Sequence, residues 1–359
     1  MQKKRRSEIS ALNTLFCLLV IFIHIVSFPI GSYSPGTELY NPLSYSLYMI
    51  PWRLASFVVQ GFVLLAGVKV FLTGKDSVPY PRYLKGRLLG VIIPYIVSFV
   101  GYYIYYYCVY DYPLDASFIV NHLVLGSLVC HYYFIPLLFQ FDVLLPLWKL
   151  IVNKTSAAIT IPVAVLASAL FESYMPSLLS ILFPSYSFVY NDRIITTYLA
   201  FWLIGCYIGR NYDSFREMLK NSFLSVALLH VAVTAANGYF SYLAYNGLAF
   251  VPFMNILHYF YTLTAILFLY ALFLKLPEGF FERIPLASKI DRASYDIYLW
   301  HMLAVFGANH LLEYLGIYGP NAAFMWRMLL VYVVTVSVCV GYNELKTFIK
   351  RKTKSRQKA

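Results

Sequence analysis

Charge is what this chain has least of. Only 12% of its 359 residues are Asp, Glu, Lys or Arg, while 60% are hydrophobic. A soluble protein of this length carries about twice that charged fraction. The five cysteines, Cys17, Cys108, Cys130, Cys206 and Cys339, have no metal-ligand spacing, so no metal centre is implied. Cys108 and Cys130 flank one loop; a disulfide there is one reading and two separate thiols the other. The basic start runs straight into an apolar stretch with no small-residue cleavage site, which argues against a cleaved signal peptide.

What is present is long apolar runs, with mean hydropathy +0.66. They specify an all-α polytopic membrane protein. Ten segments of membrane-crossing length can be drawn, at about 10–30, 47–72, 88–108, 132–152, 156–175, 194–210, 221–244, 254–275, 294–316 and 323–345. Glu172 and Pro176 make the fifth the least regular. With the N-terminus placed in the cytoplasm, 25 of the 28 basic residues fall on the inner side, leaving only Arg53, Arg193 and Arg327 outside. The positive-inside rule then gives a bundle of about ten helices with both termini cytoplasmic. The domain reading is a membrane domain over 1–345 and a basic cytoplasmic tail over 346–359. The net charge of +12 is met by this bias and by anionic membrane lipids, with no need for nucleic acid.

Ionisable side chains inside spans are costly and mark sites of function or of helix contact. The first span carries Asn13 and His24, eleven residues apart and on one helical stripe, about 16 Å along the axis. His24 can take and return a proton near neutral pH; a packing histidine bonded to a neighbouring helix is the alternative. In the ninth span Ser294, Tyr298 and His301 share one face. They line a channel or tie helices together. Gln140 and Asp142 lie inside the fourth span, where Asp142 needs a partner such as Arg53 or a proton. His230 and Asn237 share a face of the seventh span and read as helix-packing contacts. The outer arginines grip an anionic acceptor, or pair with Glu172, Asp192 or Glu313. An interfacial belt accounts for most of the 34 tyrosines.

Several patches resemble the acyltransferase-3 family of integral membrane acyltransferases. Asn13, ten residues, then His24 stands where that family has arginine, ten residues, histidine. Phe62-Val63-Leu64-Leu65-Ala66-Gly67 is similar to its F-F-x-L-S-G pattern. Arg82-Tyr83-Leu84-Lys85-Gly86-Arg87-Leu88 leads into Ile93-Pro94-Tyr95, like the family's basic stretch before an apolar-proline-tyrosine start. Tyr132-Tyr133-Phe134-Ile135-Pro136-Leu137-Leu138 with Gln140 resembles its W-F-L-x-x-L-L-x-Q helix. Ser294-Tyr295-Asp296-Ile297-Tyr298-Leu299-Trp300-His301 resembles S-Y-x-I-Y-L-x-H. The departures are Asn13 for arginine, Ala66 for serine, and Gly90 where a second arginine is expected.

The resemblance implies a multi-pass cell-membrane enzyme that moves an acyl group, usually acetyl, from cytoplasmic acyl-CoA to a hydroxyl of an extracytoplasmic or lipid-linked glycan. Acyl-CoA is then a co-substrate, with no permanently bound cofactor. The implied roles are His24 as base, with Asn13 and His301 orienting donor or transition state. Arg87, Lys85, Ser294 and Tyr298 fall to the donor, and Gln140, Arg53 and Arg327 to the acceptor. Polysaccharide-assembly proteins are the expected partners. The rival reading is a glycan or lipid exporter, or an inactive relative serving such an assembly; loss of the arginine at Asn13 favours it, and His24 with the ninth-span motif opposes it.

Overall fold

The computed structural model describes residues 6–183, 190–277 and 279–356. Among them there is no strand. The helices are α1 (Ser7–Tyr33), α2 (Pro42–Ala55), α3 (Val58–Leu72), α4 (Tyr80–Arg87), α5 (Ile93–Tyr110), α6 (Ala116–Leu125), α7 (Phe134–Val143) and α8 (Leu145–Lys154). They continue as α9 (Ala157–Leu182), α10 (Ile195–Arg210), α11 (Tyr212–Asn221), α12 (Phe223–Tyr245), α13 (Met254–Lys275), α14 (Pro285–Tyr314) and α15 (Pro320–Arg356). Two compact units result, Met1–Val58 with Arg216–Ala359, and Val59–Phe215.

The first unit is built around α1. Of its apolar window 67% is buried, against 6% for α12, so α1 is enclosed and α12 faces outward. Its buried side chains include Ile9, Leu12, Phe16 and Val20, the three-to-four spacing of one helix face. Partner residues give each neighbour's direction. Phe16 meets Phe57 and Tyr33 stacks on Tyr48, so α2 runs antiparallel to α1. Tyr332 donates to the Leu18 carbonyl and Tyr33 to Asn321, so α15 is antiparallel as well. Asn13 meets Ser294 while His24 meets His301, so α14 runs parallel to α1. At the start of α2, Asn41 accepts from the Leu43 and Ser44 amides, and Pro42 loses no helical hydrogen bond in the first turn.

In the second unit α3 and α10 lie backbone to backbone. A Cβ on Gly205 would sit 2.1 Å from the Leu64 carbonyl oxygen, and one on Gly209 2.5 Å from that of Val68. From the other side, a Cβ on Gly67 would sit 2.6 Å from the Trp202 oxygen. Small residues one helical turn apart let apolar helices approach this closely. Before α5 lies a π-helical stretch, Leu88–Ile92, which carries Gly90.

The span expectation is met in part. Among the described residues, six helical stretches are long and apolar enough to cross a membrane, or seven if α7 and α8 are one span bent by 61°. Pro146 explains that bend: it has no N–H and its ring crowds the carbonyl four residues back. The stretches expected at 194–210 and 294–316 fall short for different reasons. Helix α10 has 16 residues, and the stretch within α14 is made less apolar by Asp296, His301, Asn309, His310 and Glu313. The apolar part of α9 recognised by the same measure is only Ala157–Phe171.

Candidate active site

Two polar patches lie along the parallel seam of α1 and α14. In the first, Asn13 Nδ2 donates to Asp291 Oδ1 and to Ser294 Oγ, each at 2.9 Å. The Cys17 thiol reaches the Ser294 carbonyl at 3.6 Å. Asn13 and Asp291 are both buried. In the second, the His24 and His301 rings lie 5.2 Å apart, tilted by 36°. His301 is fully enclosed at 0% exposure, whereas His24 is half-buried.

Hydrogen bonding fixes the state of His301. Its Nδ1 lies 2.8 Å from the Tyr298 carbonyl oxygen and 3.2 Å from that of Ile297. A carbonyl oxygen only accepts, so Nδ1 carries the hydrogen and neutral His301 keeps its lone pair on Nε2. An enclosed acceptor beside a more open imidazole is an arrangement in which one ring orients the other and the second meets a substrate. Asn13 belongs to the other patch, about 16 Å along α1 from His24. Ser294 sits with Asn13. Tyr298 serves His301 through its backbone, and its ring stacks on Tyr295 with centroids 6.3 Å apart.

In the second unit Arg87 Nε donates to Asp142 Oδ2 at 2.6 Å, and Tyr83 donates to Asp142 Oδ1. Asp142 is therefore held by Arg87 and Tyr83, correcting the pairing with Arg53. Burial, and then the like charge of Arg87, lower the Lys75 pKa from its ordinary value, with Asp142 pulling the other way. Among the described residues, Asp142 forms its ion pair with Arg87 alone. Lys85 is exposed. Gln140 donates to the Arg193 carbonyl at 2.7 Å, while Arg193 pairs with Asp192 at 2.8 Å and lies over the Tyr190 ring. Cys108 and Cys130 are not disulfide-bonded.

Of the other arginines expected on the outer side, Arg53 donates to the Met254 carbonyl at 3.4 Å. Arg327 donates from Nε to Asn309 Oδ1 at 2.6 Å and lies 4.1 Å over the Phe28 ring, a correction to pairing with Glu313. The side chain of Glu172 lies outside those described. His230 approaches Thr264 of α13 at 3.4 Å, the helix contact expected of it. Sequence reasoning missed Asp291, Tyr83 and the buried Glu8, which pairs with Arg216 at 3.2 Å. A signal existed for Asp291: it stands three residues before Ser294, on the same helix face.

Residues 6–344 match the acyltransferase-3 family, described as an acyltransferase domain. The chain belongs to that family. Proteins described as probable poly-beta-1,6-N-acetyl-D-glucosamine export protein, from Staphylococcus aureus strains MSSA476, MW2 and MRSA252, are 23% identical to it over 358 residues. Those alignments cover 94% of this chain and 93% of each relative. No solved structure matches. Family membership together with the apolar helices supports a multi-pass membrane acyltransferase.

Proposed function

We propose that this protein is a cell-membrane O-acyltransferase that moves an acyl group, acetyl in the simplest case, from cytoplasmic acyl-CoA to a hydroxyl of an extracytoplasmic or lipid-linked glycan. The observation that carries the reading is the His24–His301 pair. His24, the more open ring, takes the acceptor's hydroxyl proton. His301 Nε2 accepts from the other nitrogen of His24 and steadies the imidazolium that forms. The acceptor oxygen attacks the thioester carbonyl, the carbon–sulfur bond breaks, and the thiolate leaves as CoA-SH with the proton returned from His24. The CoA phosphates are assigned to Arg87 and Lys85, basic side chains of the kind that binds phosphate.

The topology proposed is ten crossings with both termini cytoplasmic, and helix directions support an even number with both termini on one side. Because α1 and α14 are parallel, an odd number of crossings separates them. The α2–α3 stretch, the α4–α5 stretch, α12 and α13 supply four. Ser168 of α9 donates to the Thr196 carbonyl and Tyr207 of α10 to Thr160, so α9 and α10 are antiparallel and cross as a pair or not at all. The bent α7–α8 pair is then the odd crossing.

The test is mass analysis of surface glycans from cells with and without the gene. Loss of an acyl mass, restored by the wild-type gene and not by His24→Ala, supports the proposal. An unchanged acyl content refutes it. The relatives' printed name favours a second reading, glycan export, in which the amount of surface glycan falls while its acylation does not change.

A further inference from the structure

We infer that the turn joining α14 to α15 forms a subsite for one neutral, hydroxyl-rich sugar unit of the acceptor, bounded by Arg327, Asn309, Glu313 and Tyr318. The inference rests on the glycan-acceptor reading above and adds a second contact point remote from the histidines. A cavity of about 250 Å³ lies there, its walls including Leu312 and Ala323. Arg327 is only 8% exposed. Its Nε is taken by Asn309 and its flat face by Phe28, and among the described residues it makes no further hydrogen bond. A guanidinium has five N–H groups, so four remain on the two terminal nitrogens. Glu313 lines the same cavity, and among the described residues it forms no ion pair. A cation and a carboxylate thus share one space without joining.

That juxtaposition selects the ligand. Opposite charges lining one cavity give no net attraction for an anion or for a cation. They do suit a group that donates and accepts at once, and a hydroxyl does both. The Tyr318 hydroxyl is fixed by donation to the Glu313 carbonyl at 3.2 Å, and the residue is 73% exposed, so its ring offers an open apolar face beside the polar walls. Asn309 and Glu313 come 8 and 12 residues after His301. At 1.5 Å per residue they lie about 12 and 18 Å further along α14. An acceptor must be longer than a single sugar to reach both this subsite and the histidines.

The experiment uses the purified full chain in detergent, with saturation-transfer NMR on a β-linked glucose pentamer and on the glucose monomer. Wild-type protein is expected to bind the pentamer at least about tenfold more tightly, each tenfold being about 1.4 kcal/mol. Glu313→Ala and Tyr318→Ala alter exposed side chains and are expected to remove that advantage. Arg327→Lys, which keeps charge and stem but loses the fork, is expected to weaken it. Equal binding of pentamer and monomer overturns the inference. So does a wild-type advantage retained in both alanine variants, or displacement of the pentamer by millimolar inorganic phosphate or phosphoethanolamine. Acyl transfer is read separately. Pentamer binding without transfer removes the proposed activity and leaves the subsite, while transfer with equal KM for both probes removes the subsite and leaves the activity.

Discussion

Replacing His24 with alanine and His301 with asparagine, singly and together, separates a proton-handling pair from two packing histidines. The asparagine amide nitrogen takes the place of Nδ1, so the 2.8 Å bond to the Tyr298 carbonyl survives while Nε2 is lost. A positioned base contributes roughly 10²–10⁴ in rate, about 3–5 kcal/mol at 1.36 kcal/mol per tenfold. His24→Ala is expected to lose that much. His301→Asn is expected to lose less, because the base remains but is no longer oriented. Once His24 is gone there is nothing for His301 to orient, so the double variant should be no slower than His24→Ala alone. The assay is single-turnover transfer from labelled acetyl-CoA in proteoliposomes, with thermal unfolding in detergent as the fold control. The small void left by His301→Asn is expected to cost about 1 kcal/mol of stability. Losses that simply add, or full turnover in His24→Ala with the fold intact, would refute the coupled pair.

Arg87→Glu should raise the apparent KM for acyl-CoA with little change in kcat; an unchanged KM removes Arg87 from the donor. Asn13→Arg places a cation beside Asp291 and should keep turnover, whereas Asn13→Asp sets two carboxylates where a 2.9 Å hydrogen bond now lies and should lower the melting temperature more than Asn13→Ala. Equal melting of the Asp and Ala variants would show that Asp291 carries no charge there. Gly205→Ala should cost about 3 kcal/mol, the upper end for overpacking, because the new Cβ meets backbone at 2.1 Å. Gly31→Ala, where a Cβ meets nothing within 4 Å, is its control and should be close to neutral.

The sequence made the helix faces legible and left their partners open. A period of 3.6 residues puts Asn13 and His24 on one stripe of α1, and Ser294 and His301 on one stripe of α14. Nothing in that period says that the two stripes meet, or in which direction. A parallel pair joins Asn13 to Ser294, 281 residues on, and His24 to His301, 277 residues on; an antiparallel one would have crossed the assignments. The joint motif order pointed to both histidines because each motif carries one, and chain order carries no distance. Asp291 was hidden by its position at the charged start of α14, where a carboxylate reads as cytoplasmic surface until Asn13 is seen to bury it.

A motif match can report packing rather than chemistry. Gly67 closes a pattern shared with the family, and its measurable property is that the Trp202 carbonyl occupies the place of its missing Cβ. Gly205 and Gly209, one turn apart on α10, carry the same message, although no chemistry attaches to glycine. Pro146 likewise announced the α7–α8 bend, but an apolar count over 132–152 is blind to a missing N–H. Asp142 shows the converse error. A carboxylate inside an apolar run demanded a cation, and the candidate considered was distant in sequence. The observed partners, Tyr83 and Arg87, lie one turn apart on the helix entering the next span and close on Asp142 together. A buried charge is thus better matched first against paired side chains on a single helix face than against isolated charges on the same side of the membrane.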